Sequence, residues 1–337
     1  MPETLIGFFP DVGATYFLPR LDGQLGIYLG LTGHQLKAYD TVYSPQEIFI
    51  INGRWSGIAT HYIPSERLEA FESRIAEIAS HNFTSINEVL TEFESGPPQG
   101  YSSAITPEIQ AAIDRIFAFN DMASIIRNLE SEVKSNSPVA GWAQQTLETL
   151  NLRSPTSLHV SLRAMRDTVG KSQYHTFQRE YELASKFMLQ PDFVEGVTAR
   201  LIERRPAKWS LPASALKLPP TEAKLQIWEK GRFDETLEDS FFLLETGKRE
   251  TNPEERGLFK YSLPTETNVL ATLMRGKLDG SKGEEVKYRR KELVEYLVGE
   301  SLGRAGFERK LNYILDRKTV EDDEGRLMWK FDDGHVE

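Results

Sequence analysis

The sequence predicts an α/β chain in which a short β-rich opening gives way to a mostly α-helical remainder. Three observations carry that prediction. The first thirteen residues, Met1-Pro-Glu-Thr-Leu-Ile-Gly-Phe-Phe-Pro-Asp-Val-Gly13, are punctuated by Gly7, Pro10 and Gly13, which do not suit a regular helix. Ile48-Phe-Ile-Ile51, ended by Asn52-Gly53, is a short β-prone run. From Glu66 onward, apolar residues recur every three to four positions, the period of amphipathic helices.

The opening reads as an extended run followed by a tight turn, which returns Asp11 close to Glu3. Leu25-Gly-Ile-Tyr-Leu-Gly-Leu31 then has helical spacing, and Gly33 is a natural stop for that helix. Residues 41–56, which hold that β-prone run, read as either a surface hairpin arm or retained intron sequence. Residues 66–93 and 107–150 read as helices joined by the loop Glu94-Ser-Gly-Pro-Pro-Gln-Gly100. Ser154-Pro155 combines a capping serine with proline at the first helical position. The helix it opens should bury Leu158, Leu162 and Met165. Further helices are expected over 174–189 and 193–202, then a Pro-rich linker after Trp209. Beyond it, residues 287–297 and 307–315 have amphipathic spacing, and Glu321-Asp-Asp-Glu324 is expected to be solvated and mobile. The chain thus divides into 1–63, the end of a β-rich core with the insert, 64–209, a helical part, and 210–337, a linker and helical extension with an acidic tail.

At 337 residues, 39% of them hydrophobic, the chain is long enough for one large domain or two ordinary ones. No run approaches the length of a membrane-spanning helix. The formal net charge of −10 argues against a dominant phosphate-binding surface. There is no cysteine, so thiol nucleophiles, thiolate metal sites and disulfides are excluded. The histidines His34, His61, His81, His159 and His175 show no metal-ligand spacing, and no metal site is expected. Gly170-Lys-Ser172 mimics the end of a phosphate loop, but Met165 stands where its first glycine belongs. Arg289-Arg-Lys291, with Arg304, Arg309, Lys310, Arg317 and Lys318, has acids interleaved throughout and reads as a solvated helix face rather than an RNA-binding patch.

Glu3 and Asp11 are the residues with chemical promise. Two acids in apolar surroundings can have their pKa values pushed apart, one protonated and one charged near neutrality. Spacing alone leaves a competing reading open, in which Glu3 caps a turn and Asp11 is an ordinary Pro-Asp turn residue.

The surrounding residues extend the picture. Met1-Pro-Glu-Thr, Gly-Phe-Phe-Pro-Asp-Val-Gly, Phe17-Leu-Pro-Arg20, Leu31-Thr-Gly33 and Gly57-Ile-Ala-Thr-His-Tyr62 occur in that order. Ser154-Pro-Thr-Ser-Leu158, Glu180-Tyr181, Asp192-Phe193, Glu195-Gly196 and Lys208-Trp209 follow. Over roughly residues 1–210 this set resembles the crotonase superfamily, and within it the 3-hydroxyisobutyryl-CoA hydrolases of valine breakdown. The resemblance implies the later part of a crotonase-like spiral of strand–strand–helix turns. It assigns Glu3 the main catalytic carboxylate role in acyl-CoA thioester hydrolysis, and Asp11 substrate positioning and proton transfer. Gly7, Phe8 and Gly13 would line the substrate, coenzyme A being part of that substrate and not a separate cofactor. In the resembling family the oxyanion donors come from a Gly-rich loop upstream of this motif. The chain begins inside the motif, so it is expected to be a fragment or an internally started reading, with activity on its own in doubt. The family also passes the position of the 41–56 insert in fewer residues. The long mixed-charge C-terminal region resembles a branch of hydrolase-like proteins in fungal mitochondrial small ribosomal subunits. That resemblance implies a mitochondrial location, a ribosome as partner and a structural or assembly role as the alternative function. Self-association through the helical region is a further expectation.

Overall fold

The structure, a computed structural model, describes residues 1–36, 40, 58–59, 61–78, 82–95, 103–219, 263–275, 277–278, 285–301 and 306–330. The insert at 41–56 and its β-prone run lie outside the described residues. The regular structure of the described backbone is mostly helix, with four strands of two or three residues. It falls into two compact units, each assembled from two separated stretches of chain: 1–35 with 108–256, and 36–107 with 257–337. The divisions expected at 63 and 209 follow the chain; the compact units do not.

In the first unit, Glu3–Ile6 forms a 3-10 turn, closed by Gly7 in the left-handed region at φ 71°. An extended run was expected here. The turn wins because Gly7 closes it by donating its N–H to the Glu3 carbonyl, and the Thr4 hydroxyl is satisfied by the Leu31 carbonyl at 3.1 Å. Backbone from Phe8 to Asp11 is non-helical as anticipated, and α1 (Ala14–Phe17) starts after Gly13. Helix α2 (Leu25–Thr32) is buried at every position, so it shows no amphipathic stripe. Gly33 ends it at φ 69°, the conformation that suits glycine best.

Helices α5 (Pro107–Ile116), α6 (Met122–Lys134), α7 (Ala140–Asn151), α8 (Pro155–Asp167), α9 (Gln173–Phe187) and α10 (Pro191–Val197) complete this unit. A single π turn, Thr198–Ile202, extends α10. As the sequence suggests, the Ser154 hydroxyl caps α8 by accepting from the Ser157 N–H at 3.2 Å, and Leu158, Leu162 and Met165 are buried. Ser172, the end of the phosphate-loop mimic, caps α9 by accepting from the His175 N–H. His159 is a core histidine: its Nε2 lies 3.3 Å from the Ala215 carbonyl, and burial lowers its pKa.

The second unit contains α3 (Leu68–Ala76) and α4 (Phe83–Phe93), which Arg67 braces by donating to the carbonyls of Glu92 and Phe93. Its C-terminal part is built from α11 (Glu266–Arg275), α12 (Arg290–Glu300) and α13 (Phe307–Lys318). Strand β1 (Lys277–Leu278) pairs antiparallel with β2 (Glu285–Val286), and β3 (Thr319–Glu321) with β4 (Leu327–Trp329). Val269, Leu293, Leu311, Ile314, Leu327 and Trp329 are buried together as an independent core. The acidic stretch expected to be mobile is instead a strand end and hairpin turn. The Asp322 carboxylate accepts from the N–H groups of Glu324 and Arg326 and from the Arg326 side chain, and Gly325 takes φ 72°. Part of the basic cluster is tied up in ion pairs, and its Arg304 lies outside the described residues. Arg290 meets Asp316 at 2.6 Å, while Arg317 and Lys318 converge on Glu266.

Candidate functional site

The motif turn is set by close backbone approaches. A methyl group on Gly7 would collide with the Asp192 carbonyl, and one on Gly196 would collide with the Ile6 carbonyl. Glycine at both places lets α10 lie directly against the Glu3–Ile6 turn. Asp192 is itself buried and fully engaged, accepting from the Ser154 hydroxyl at 2.6 Å and from the Ser210 N–H and hydroxyl at 2.7 and 2.6 Å. The neighbouring Glu195 takes a bidentate pair from Arg205, at 2.5 and 3.0 Å, plus the Lys208 N–H. The Arg205 bonds, with the Lys208 amide, hold its pKa down at about 2. Thus Ser154, Asp192, Glu195-Gly196 and Lys208 brace the backbone around the motif.

Four aromatic rings fill the space behind it. Phe8 lies 4.8 Å from Phe9, 5.5 Å edge-on from Phe187 and 5.1 Å from Phe193, centroid to centroid. Phe8, a predicted substrate-lining residue, is 9% exposed and spends its ring on this core. Gly7 faces the α10 backbone, and Gly13 sits under the Phe177 ring of α9, with a hypothetical Cβ 3.2 Å from Cζ.

Glu3 is half-buried, and its Oε2 is a fully buried oxygen with no hydrogen-bond partner. Burial raises its carboxyl pKa above the ordinary 4.5, and the nearby Asp11 adds a smaller push in the same direction. The fold therefore brings the two predicted acids within electrostatic reach. Between Asp11 and Gly13, Val12 adopts φ 50° while 79% exposed. A β-branched residue in the left-handed region is a true outlier, and such strain concentrates at functional turns.

Sequence reasoning used Glu180 only as part of a resemblance. The structure gives it a larger part, since its carboxylate is buried against the residues flanking the Asp11 turn. Its signal was present: Thr176, Glu180, Leu183 and Phe187 share the buried stripe of α9, and an acid on such a stripe needs partners. His61 is half-buried in the second unit, and His81 lies outside the described residues. Among the described residues no cluster of three His, Asp or Glu has the geometry to hold a metal ion. No described helix is long and apolar enough to cross a membrane.

A family profile described as enoyl-CoA hydratase/isomerase matches residues 1–221. This chain belongs to that family. Among solved structures, a carnitinyl-CoA dehydratase from Mycobacterium thermoresistibile aligns with a TM-score of 0.52 and 28% identity, over 67% of this chain and 58% of that one. The enoyl-CoA hydratase/isomerase fold expected from the motif is thus the fold found. The small ribosomal subunit protein mS47 of Neurospora crassa is 37% identical over 95% of this chain and 59% of its own length. The mitochondrial 3-hydroxyisobutyryl-CoA hydrolase of Homo sapiens is also 37% identical, over 62% of this chain and 50% of its own. This member of the family therefore spans between half and three-fifths of the length of these relatives.

Proposed function

We propose that this chain is a mitochondrial protein of the mS47 kind, a component of the small ribosomal subunit built on an acyl-CoA hydrolase scaffold. One observation carries the reading. The family profile ends at residue 221 and the human hydrolase matches 62% of the chain, but the Neurospora mS47 protein matches 95% of it. Most of the region after 221, including the core formed by α11, α12, α13 and the β3–β4 hairpin, is therefore shared with the ribosomal relative. A module with its own buried core, appended to an enzyme-like domain, supplies new surface for assembly rather than new chemistry. The net charge of −10 favours contact through ribosomal proteins over broad contact with RNA phosphates. Sedimentation of a mitochondrial lysate at moderate salt tests this. The chain is expected to travel with the small subunit, and its recovery wholly in the unbound fraction would overturn the reading.

A second reading, hydrolysis of 3-hydroxyisobutyryl-CoA or a related acyl-CoA thioester, is favoured by the buried, unpartnered Oε2 of Glu3. In that reading Glu3 activates water or attacks the thioester carbonyl, and Asp11 orients the substrate and shuttles the proton to the departing thiol. Gly7 and Gly13 let the turn that carries both acids pack against the α10 backbone and the Phe177 ring, and Phe8 walls the site from behind. Coenzyme A enters only as part of the substrate. Removing the carboxylate with Glu3→Gln should lower the hydrolysis rate by roughly 10²–10⁴-fold. An unchanged rate would end the catalytic assignment.

A further inference from the structure

We propose that Glu180 is a positioning residue for the candidate site: it holds the Asp11 turn in its strained, active geometry. The inference deepens the hydrolase reading of that site and rests on it. Glu180 is 4% exposed and lies 165 to 167 residues away in sequence from the groups it binds. Its Oε2 accepts from the Gly13 N–H at 2.7 Å. Its Oε1 accepts from the Thr15 N–H at 3.0 Å and from the Thr15 hydroxyl at 2.5 Å. These three donors belong to Gly13, itself at φ 85° and directly after Val12 at φ 50°, and to Thr15.

Two successive left-handed residues, one of them valine, do not persist unless something over-determines them. A buried carboxylate with three donors does so, because charge-assisted bonds in a dry setting are the strong class. Burying that acid has a cost, visible in the upward pull of desolvation on its pKa. A stability-only role is served more cheaply by an apolar residue, as at Leu183 and Phe187 on the same stripe. What the carboxylate adds is aim. Asp11 immediately precedes the clamped segment, and it is close enough to push Glu180 and Glu3 alike toward the protonated form. The clamp thus fixes the one acid that feels both others.

The test uses the full chain with Glu180→Gln, Thr15→Ala and the conservative Thr15→Ser. Gln keeps the size but one acceptor oxygen fewer; Ala removes one donor while leaving the carboxylate; Ser restores the hydroxyl. For acyl-CoA hydrolysis, Glu180→Gln should lower kcat roughly tenfold to a hundredfold with KM within about twofold, the signature of lost aim rather than lost binding. Thr15→Ala should show a smaller loss of the same kind, and Thr15→Ser should recover most of it. Amide hydrogen exchange in Glu180→Gln should accelerate at residues 11–15 while α8 keeps its protection. Unchanged kcat in a folded Glu180→Gln protein, or unchanged protection of 11–15, overturns the proposal. If Glu180→Gln does not fold, Thr15→Ala carries the same two readouts. If the wild type hydrolyses no thioester, the hydrolase reading fails, and the exchange pattern still decides whether Glu180 clamps the turn.

Discussion

The motif turn and the C-terminal module solve opposite problems. Around Glu3–Thr15 the chain tolerates a carboxylate oxygen without a partner, a left-handed valine and two glycines pressed against carbonyls. In the module of α11, α12 and α13, apolar side chains fill the core and several charged ones are paired, as at Arg290–Asp316. The first region accepts local conflict, and the second is locally consistent. Natural sequences keep such conflict where function requires it, so the contrast is the one expected between a candidate site and a stably packed support.

The contrast is broken most directly at Gly7. With φ at 71° and the Asp192 carbonyl behind it, Gly7→Ala has no room and the wrong backbone preference. Denaturant unfolding should show a loss of roughly 3–5 kcal/mol. A tolerated alanine would mean that the turn adapts and is not tightly set. Next in size, Leu311→Ala should cost roughly 2–4 kcal/mol by opening a cavity in the second core, since Leu311 is fully buried there. Hydrogen exchange should then quicken in α11, α12 and α13. If α12 and α13 stay protected, the module is not one cooperative unit.

Ser154→Ala sharpens the same comparison at smaller scale. It removes the α8 cap and leaves one oxygen of buried Asp192 without its 2.6 Å donor. A loss of about 1–2 kcal/mol is expected from thermal unfolding. Ser172→Ala, which caps α9 at an exposed end, should cost less. Equal losses would show that Asp192 contributes nothing beyond the cap.

How much of this was legible beforehand differs between the same regions. Helices with a polar face, such as α8 with its Ser-Pro start, declare themselves through spacing and capping. Glu3 and Asp11 stand out in the sequence as two acids in an apolar, glycine-punctuated run, and the fold places Asp11 close enough to add to the raised pKa of Glu3. The 3-10 form of Glu3–Ile6 was not, since it is set by the closure at Gly7 and the Thr4–Leu31 contact. Nor was the hairpin at Asp322: its acids look like a solvated tail until Arg326 and the backbone amides are seen folded onto one carboxylate. The partners of Glu180, though not its buried place on α9, were hidden for a like reason. Its donors lie far away in sequence, and spacing rules see only near neighbours.

The smallest expected effect bears on whether the motif gives up stability for function. Burial raises the folded-state pKa of Glu3 above the ordinary 4.5. The folded chain therefore holds this proton more tightly than the unfolded chain. The stability that follows is fully present below the ordinary value and is lost as pH rises through the raised one. Glu3→Gln removes the titration, so between about pH 4.5 and neutrality its unfolding free energy should fall less steeply than that of the wild type. Near neutrality the variant should be no less stable, and slightly more so, while any thioester hydrolysis disappears. That pairing, equal or greater stability with lost activity, marks a residue kept for chemistry. Parallel pH slopes for variant and wild type would instead place Glu3 in an ordinary solvated setting, and the motif turn would then be no different in kind from the module.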